Sequence, residues 1–379
     1  MKLLHLADLH LGKRYNELSL IDDQQHVLNQ ILNIVGQEKP DCVLIAGDVY
    51  DKAVPSAEAV ELFDGFLNSV VRSGVKVFMV SGNHDSPERL SFGAGLMSGS
   101  GVYISPVYSG NVAPVTLEDE YGKVNFYLLP FIKPATVRRF FEGEQIDTYT
   151  QAVAAAVKAM NVDETERNVI VAHQFVTGST QSGSEEFSVG DVGNVDADVF
   201  VPFDYAALGH IHGAQNVGGE RVRYCGTPLK YSLSEANNQK SVTIAELKGK
   251  GSLSVRTIPL VPLHDVVEIK GAYEEITKKS FYDGTALKES FVHAVLTDEE
   301  EVPDVFAKLR IIYLYLMSVK YDNTRTRASV DTELVADVKS RTPIELFSDF
   351  FERQNNKPLT DEQRQTVRDI IEKLWGEER

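Results

Sequence analysis

The sequence predicts an α/β protein: two sheets packed on one another and flanked by helices, followed by a small α+β unit and a helical C-terminal segment. Three observations predict it. Over the first 130 residues, short apolar runs alternate with helix-period segments, the pattern of α/β layering. Between residues 168 and 247 strands follow one another more closely, as a second sheet packing on the first requires. Around Pro259-Leu260-Val261-Pro262 the pattern changes again, which sets a boundary there.

In chain order, residues 3–7 read as a strand and 22–37 as a helix, with a second buried strand at 42–46. Ser56 is a candidate N-cap for a helix running to Arg72, with Gly74 just past its end, and residues 75–80 form the third strand. Later strands are expected at 124–129, 168–172, 205–208, 221–225 and 241–247. The stretch 177–196, rich in Gly, Ser, Thr and acidic residues, reads as a surface loop. Past the boundary come strands at 266–270 and 291–296, a helix at 302–309 and a strand near 311–319. Thr342-Pro343-Ile344-Glu345 offers an N-cap, an N1 proline and a capping-box Glu, and Thr360-Asp361-Glu362-Gln363 repeats the box. The expected division is therefore 1–262, 263–324 and 325–379.

With 43% apolar and 25% charged residues, the chain can bury a large core without covalent staples. Cys42 and Cys225 both lie in apolar contexts and read as reduced, buried side chains rather than a disulfide or a metal site. Residues 1–7 superficially resemble the start of a signal peptide, but Asp8 and His10 interrupt them before an apolar region forms. The longest later apolar run, 311–317, is too short to span a bilayer, so no membrane and a cytoplasmic, reducing location are expected. The net charge of −17 argues against a freestanding nucleic-acid binder. A nucleic-acid role would need local basic clusters, bound cations offsetting the carboxylates, or a partner supplying the binding surface.

Five short blocks carry the candidate chemistry, most of them at the end of an expected strand. They are Asp8-Leu9-His10, Gly47-Asp48-Val49-Tyr50-Asp51, Gly82-Asn83-His84-Asp85, Ala172-His173 and Gly209-His210-Ile211-His212-Gly213. Side chains two apart on an extended segment share a side, so Asp8 with His10, and His210 with His212, can converge on one cation. Each block alone has an ordinary alternative: a turn, a surface accident, or a hydrogen-bonded core histidine. Together, at successive strand ends of one α/β unit, they mark a site where open sheets place theirs. The mixed carboxylate, imidazole and amide set suits Mn²⁺, Fe or Zn²⁺. For two ions about 3.5–4 Å apart, Asp48 is the natural bridge, and the pair would activate a water and hold a phosphoryl oxygen. Asn83 and His84 point in different directions, so Asn83 can bind metal while His84 faces the substrate.

This order of blocks resembles the signature of the calcineurin-like metallophosphoesterases. The resemblance implies a metallophosphoesterase sandwich in which Asp8, His10, Asp48 and His212 hold one ion, and Asp48, Asn83, His173 and His210 the other. It also implies that His84 is catalytic and supported by the Asp51 or Asp85 carboxylate; no metal-site position departs from the pattern. More narrowly, residues 7–13, 46–51, 225–232 and 342–347 are similar to the SbcD-like nuclease subunits, the Mre-eleven-like branch. That similarity implies two divalent ions with Mn²⁺ expected, and exonuclease and endonuclease action on DNA in repair and recombination. It further implies a capping domain, a homodimer within a heterotetramer, and an SbcC-like ATPase partner with a long coiled coil. Phosphate contacts are then expected from Lys13, Arg14, Lys133, Arg138 and Arg139, and partner contacts from Ile344, Phe347, Phe350 and Phe351. A second apolar stripe, Val367, Ile370, Ile371 and Leu374, leaves open that the two C-terminal helices pack on each other.

Two other readings compete. A phosphatase acting on a non-DNA phosphoester would keep the chemistry, but a protein phosphatase of this class is expected to carry Gly-Asn-His-Glu after an arginine, where this chain has Ser81-Gly82-Asn83-His84-Asp85. A non-catalytic scaffold would be expected to have lost ligands, and none is missing.

Overall fold

The computed structural model describes residues 1–15, 18–181, 193–324, 326, 343–355 and 358–367. Two six-stranded sheets lie face to face. The first runs, edge to edge, Leu253–Pro259, Ser241–Leu247, Lys2–Leu6, Cys42–Ala46, Lys76–Val80, Val102–Ile104. Its last four strands are parallel, and the two C-terminal strands add antiparallel. The second runs Gln215–Asn216, Val222–Tyr224, Tyr205–Gly209, Arg167–His173, Gly122–Leu129, Val115–Asp119, parallel at its centre and antiparallel at both edges.

The central strands are buried on both faces, which is why they read as unbroken apolar runs rather than as alternations. Between the sheets Leu3, Leu44, Val169, Val171 and Ala207 form a dry layer, with the Phe78 and Phe126 rings stacked at 4.3 Å. Helices Ile21–Glu38 and Ala57–Arg72 cover the outer face of the first sheet. Ser56 caps the latter as expected, accepting from the Ala59 N–H at 3.3 Å, and Leu62, Phe63, Phe66, Leu67 and Val70 line its buried face. Each such side chain contributes about 1.5–3 kcal/mol on burial. Helix Tyr149–Ala159 covers the second sheet.

Most expected elements fall within a residue or two of those observed. The strand near 311–319 instead begins later, at Leu316–Tyr321, and the helix at 302–309 is Val305–Arg310. Helix Tyr149–Ala159 and strands Val102–Ile104, Val115–Asp119 and Leu253–Pro259 were not foreseen. Strands Val266–Gly271, Phe291–Leu296 and Leu316–Tyr321 form a three-stranded sheet in that order. Its Val266, Phe291 and Met317 join the apolar core of the first sheet's helical layer. By contacts, residues Met1–Lys270, Glu274–Val295 and Asp304–Val319 make one compact unit. The second comprises Gly271–Tyr273, Leu296–Pro303 and Lys320–Arg379, and contains helix Pro343–Asn355. The Thr360 capping box forms as expected, with Thr360 N–H donating to Gln363 at 3.0 Å and Gln363 N–H to Thr360 at 3.3 Å. Most of the expected loop 177–196, the Thr342 cap, and Ile370, Ile371 and Leu374 lie outside the described residues. Among the described residues no helix is long and apolar enough to cross a membrane.

Candidate metal centre

All eight expected residues converge where the C-terminal ends of the parallel strands of both sheets meet. The first sheet delivers Asp8, His10, Asp48, Asn83 and His84, each just past a strand end; the second delivers His173, His210 and His212. The pairs do not converge by strand alternation, however. Strand Lys2–Leu6 ends before Asp8, and strand Tyr205–Gly209 ends before His210. Asp8, His10, Asp48 and His210 instead take positive φ (52°, 43°, 48° and 102°), a region costly for side-chain-bearing residues. Elsewhere among the described residues only Lys39, Asn161 and Asp304 do so outside glycine, so the strain concentrates at this site.

Main-chain hydrogen bonds hold the strained loops. Asp8 N–H donates to the Gly47 carbonyl at 3.0 Å, His10 N–H to Asp48 at 3.0 Å, and Leu11 N–H to Val49 at 2.9 Å. The Gln24 side chain, fully buried, donates to the His10 carbonyl at 2.7 Å and accepts from Gly12 N–H at 2.9 Å. Glycine is required by close approach: a Cβ on Gly82 would overlap the Asp48 carboxylate, and one on Gly209 would overlap the Ala46 carbonyl.

The donor atoms fall into two groups that share Asp48. His10 Nε2 lies 3.3 Å from His212 Nε2 and 3.8 Å from Asp48 Oδ2, and Asp8, His10 and His212 offer atoms within 4.8 Å of one another. Asn83 Oδ1 lies 2.9 Å from His173 Nε2 and 3.0 Å from His210 Nδ1, while His173 Nε2 is 3.4 Å from Asp48 Oδ2. Asp48 Oδ1 is taken by the His84 N–H at 2.9 Å, which leaves Oδ2 facing both groups. His173 Nδ1 donates to the Ala46 carbonyl at 2.8 Å, turning Nε2 inward.

The electrostatics call for cations. Burial drives the Asp8 carboxyl up to about 7 and holds His210 down to about 3 and His10 well below its ordinary value. At His173 burial acts the same way, but the Asp48 carboxylate outweighs it and raises the imidazole to about 9. Burial likewise opposes ionisation of Asp48, yet His173 holds its carboxyl well below the usual range. The protein thus places positive charge beside Asp48, and His10 Nδ1 is buried without a hydrogen-bond partner. Two carboxylates, four imidazoles and one amide oxygen converge here, a donor set that fits two divalent cations once His173 gives up its Nε2 proton.

His84 sits at the rim, its Nε2 4.0 Å from Asp48 Oδ2. Its Nδ1 is 3.1 Å from the main-chain carbonyl of Asp51, not from a carboxylate, which corrects the expected pairing. The Asp85 carboxylate is occupied structurally, accepting from the N–H groups of Gly82 (2.9 Å), Val49 (3.1 Å) and Tyr50 (3.0 Å). The Asp51 carboxylate pairs with Lys13 at 2.7 Å and lies 3.7 Å from His10 Nδ1.

The expected phosphate contacts separate. Lys13 stands at the rim through Asp51, with its ammonium 5.6 Å from the Tyr231 ring, and Arg14, Lys133 and Arg139 are exposed. Arg138 is engaged locally, donating to the Ile146 carbonyl (2.6 and 3.1 Å) and Asp147 (3.1 Å). On helix Pro343–Asn355, Phe347 and Phe350 are exposed and Ile344 and Phe351 half-buried. Sequence reading missed Gln24, Thr227, Glu235 and Lys240. The block Cys225–Ser232 drew notice, but nothing local ties Glu235 or Lys240 to His212.

This is a phosphoesterase centre: the chain belongs to the calcineurin-like phosphoesterases, whose family pattern, described as "Calcineurin-like phosphoesterase", matches residues 1–214. Within that class it belongs with the SbcD nucleases, being 30% identical over 378 residues to the SbcD component of the SbcCD nuclease of Staphylococcus epidermidis, with 98% of each chain covered. A second pattern, described as "Type 5 capsule protein repressor C-terminal domain", matches residues 262–355. Among solved structures, TT1561 of Thermus thermophilus is similar with a TM-score of 0.39 at 13% identity, covering 68% of this chain and 98% of that one. A dimetal phosphatase from Danio rerio gives 0.40 at 13% identity, covering 69% and 98%.

Proposed function

We propose that the chain is a metal-dependent DNA nuclease, the hydrolytic subunit of an assembly with an SbcC-like, SMC-type ATPase, acting on duplex ends and on single-stranded or hairpin DNA in repair and recombination. The observation that carries this reading is the full-length likeness to a nuclease subunit, in a chain that keeps every donor of the two-cation site. We assign Asp8, His10, Asp48 and His212 to one ion and Asp48, Asn83, His173 and His210 to the other, with Mn²⁺ as the working metal. Bound there, the ions would supply Lewis acidity that activates water and polarises a phosphoryl oxygen.

The chain's own part is positional. With Nδ1–H held by the Asp51 carbonyl, the His84 Nε2 is the atom presented to the phosphoester. Protonated, it donates to a phosphoryl or leaving oxygen. Lys13 neutralises Asp51 and offers a cation at the rim. The net charge of −17 favours a DNA path built largely by the partner. We also propose a homodimer within a heterotetramer, a cytoplasmic location, a capping role for residues 263–324, and partner docking through Ile344, Phe347, Phe350 and Phe351.

The test is to incubate the purified chain and Mn²⁺ with labelled hairpin and linear duplex DNA beside a phosphopeptide. Cleavage of DNA with the phosphopeptide untouched is the expected result. Dephosphorylation without DNA cleavage would overturn the substrate assignment and leave the phosphoesterase centre standing.

A further inference from the structure

A buried polar cluster sits behind His212. Glu235 is completely buried and Lys240 nearly so. Glu235 Oε1 lies 3.4 Å from His212 Nδ1 and accepts from the Tyr231 N–H at 3.3 Å, while Oε2 accepts from Lys240 Nζ and lies 3.1 Å from the Thr227 hydroxyl. Lys240 Nζ also donates to the His212 main-chain carbonyl at 3.0 Å and to Thr227 Oγ1 at 2.6 Å. The same carbonyl accepts from the Thr227 N–H at 3.2 Å. One ion pair therefore grips both the ring and the backbone of a single histidine.

We propose that Glu235 and Lys240 are a positioning pair that fixes the tautomer and aim of His212 toward a divalent cation, an inference that rests on the ligand assignment above. A carboxylate held by an ammonium can only accept, so the His212 proton sits on Nδ1. The Nε2 lone pair then points toward His10 Nε2, 3.3 Å away. His173 and His84 are oriented by main-chain carbonyls, those of Ala46 and Asp51. At His212 the orienting acceptor is a side chain, which makes this position tunable by substitution. A buried ion pair contributes little net stability in place of an apolar pair, so stability alone does not account for this one. Its placement against a ligand does.

Glu235→Gln keeps an acceptor oxygen and nearly the same shape while removing the charge. Titration calorimetry with Mn²⁺ on the full chain should show one of two binding steps weakened about tenfold and the other essentially unchanged, with the circular dichroism of the wild type. The uncharged double variant Glu235→Gln/Lys240→Met serves if the single variant does not fold. Two unaltered steps in a folded variant overturn the proposal. In the wild type loaded with Zn²⁺, the nitrogen-15 imidazole spectrum should show His212 protonated at Nδ1; protonation at Nε2 overturns it equally. A wild type that binds no ions would instead overturn the ligand assignment itself.

Discussion

At His84 the ring nitrogen Nδ1 lies 3.1 Å from the Asp51 carbonyl and Nε2 stands 4.0 Å from Asp48 Oδ2, at the rim of the donor cluster and outside the seven donors assigned above to the ions. His84→Ala should therefore leave metal content unchanged, measured by elemental analysis, and lower phosphodiester cleavage by about 10²–10⁴-fold. His5 illustrates a different constraint. It is buried between the sheets with Nδ1 2.9 Å from the Tyr205 hydroxyl, and burial lowers its pKa to about 3. The unfolded chain takes up a proton below its ordinary value of 6.5 that the folded chain refuses until about 3. Its contribution is complete above pH 6.5 and declines as pH falls toward 3. His5→Leu should flatten the acid limb of a denaturation-versus-pH profile by up to about 1.4 kcal/mol per pH unit.

Among the elements, strand ends and the glycines beside them decide whether ligands can meet. Gly82→Ala would push a Cβ into the Asp48 carboxylate, so both metal positions should empty in titration. Gly36→Ala, in helix Ile21–Glu38 with open space around it, should keep metal binding and add about 0.5–1 kcal/mol of stability in urea unfolding. The converging donors were legible because each stands at or just past the end of an apolar strand, most of them beside a glycine. Their conformation was not: alternation along a strand was expected at Asp8-x-His10, and left-handed turns deliver the same convergence. Helix Tyr149–Ala159 escaped notice because its alanine-rich sequence gives little contrast between faces, although Thr148 and Gln151 form a readable capping box. Glu235 and Lys240 escaped because they reach His212 from 23 and 28 residues away, out of a serine-rich turn with no periodicity. Asp85, bracketed with Asp51 as catalytic support, proved to be a main-chain acceptor, a role that spacing cannot distinguish.

Over the whole molecule, the compact first unit carries the centre, and the proposed partner docking falls on the C-terminal helix of the second. Removing residues 340–379 should leave a folded protein that still binds two ions, while co-purification with the ATPase partner is lost; retained co-purification would move the docking surface elsewhere. The acidic chain should bind DNA weakly alone and more strongly with its partner. The seam between the two sheets has a wider consequence. One sheet brings both carboxylates, the amide and one imidazole, the other brings the remaining three imidazoles, and Asp8 reaches across to accept the His210 N–H at 3.0 Å. Neither sheet holds the full donor set on its own, so a metal pair bound there would act as a gauge of how the sheets are aligned. A small sliding at the Phe78–Phe126 stack, well short of unfolding, would be felt first as lost ions, and ions bound on both sides of the seam would resist that sliding.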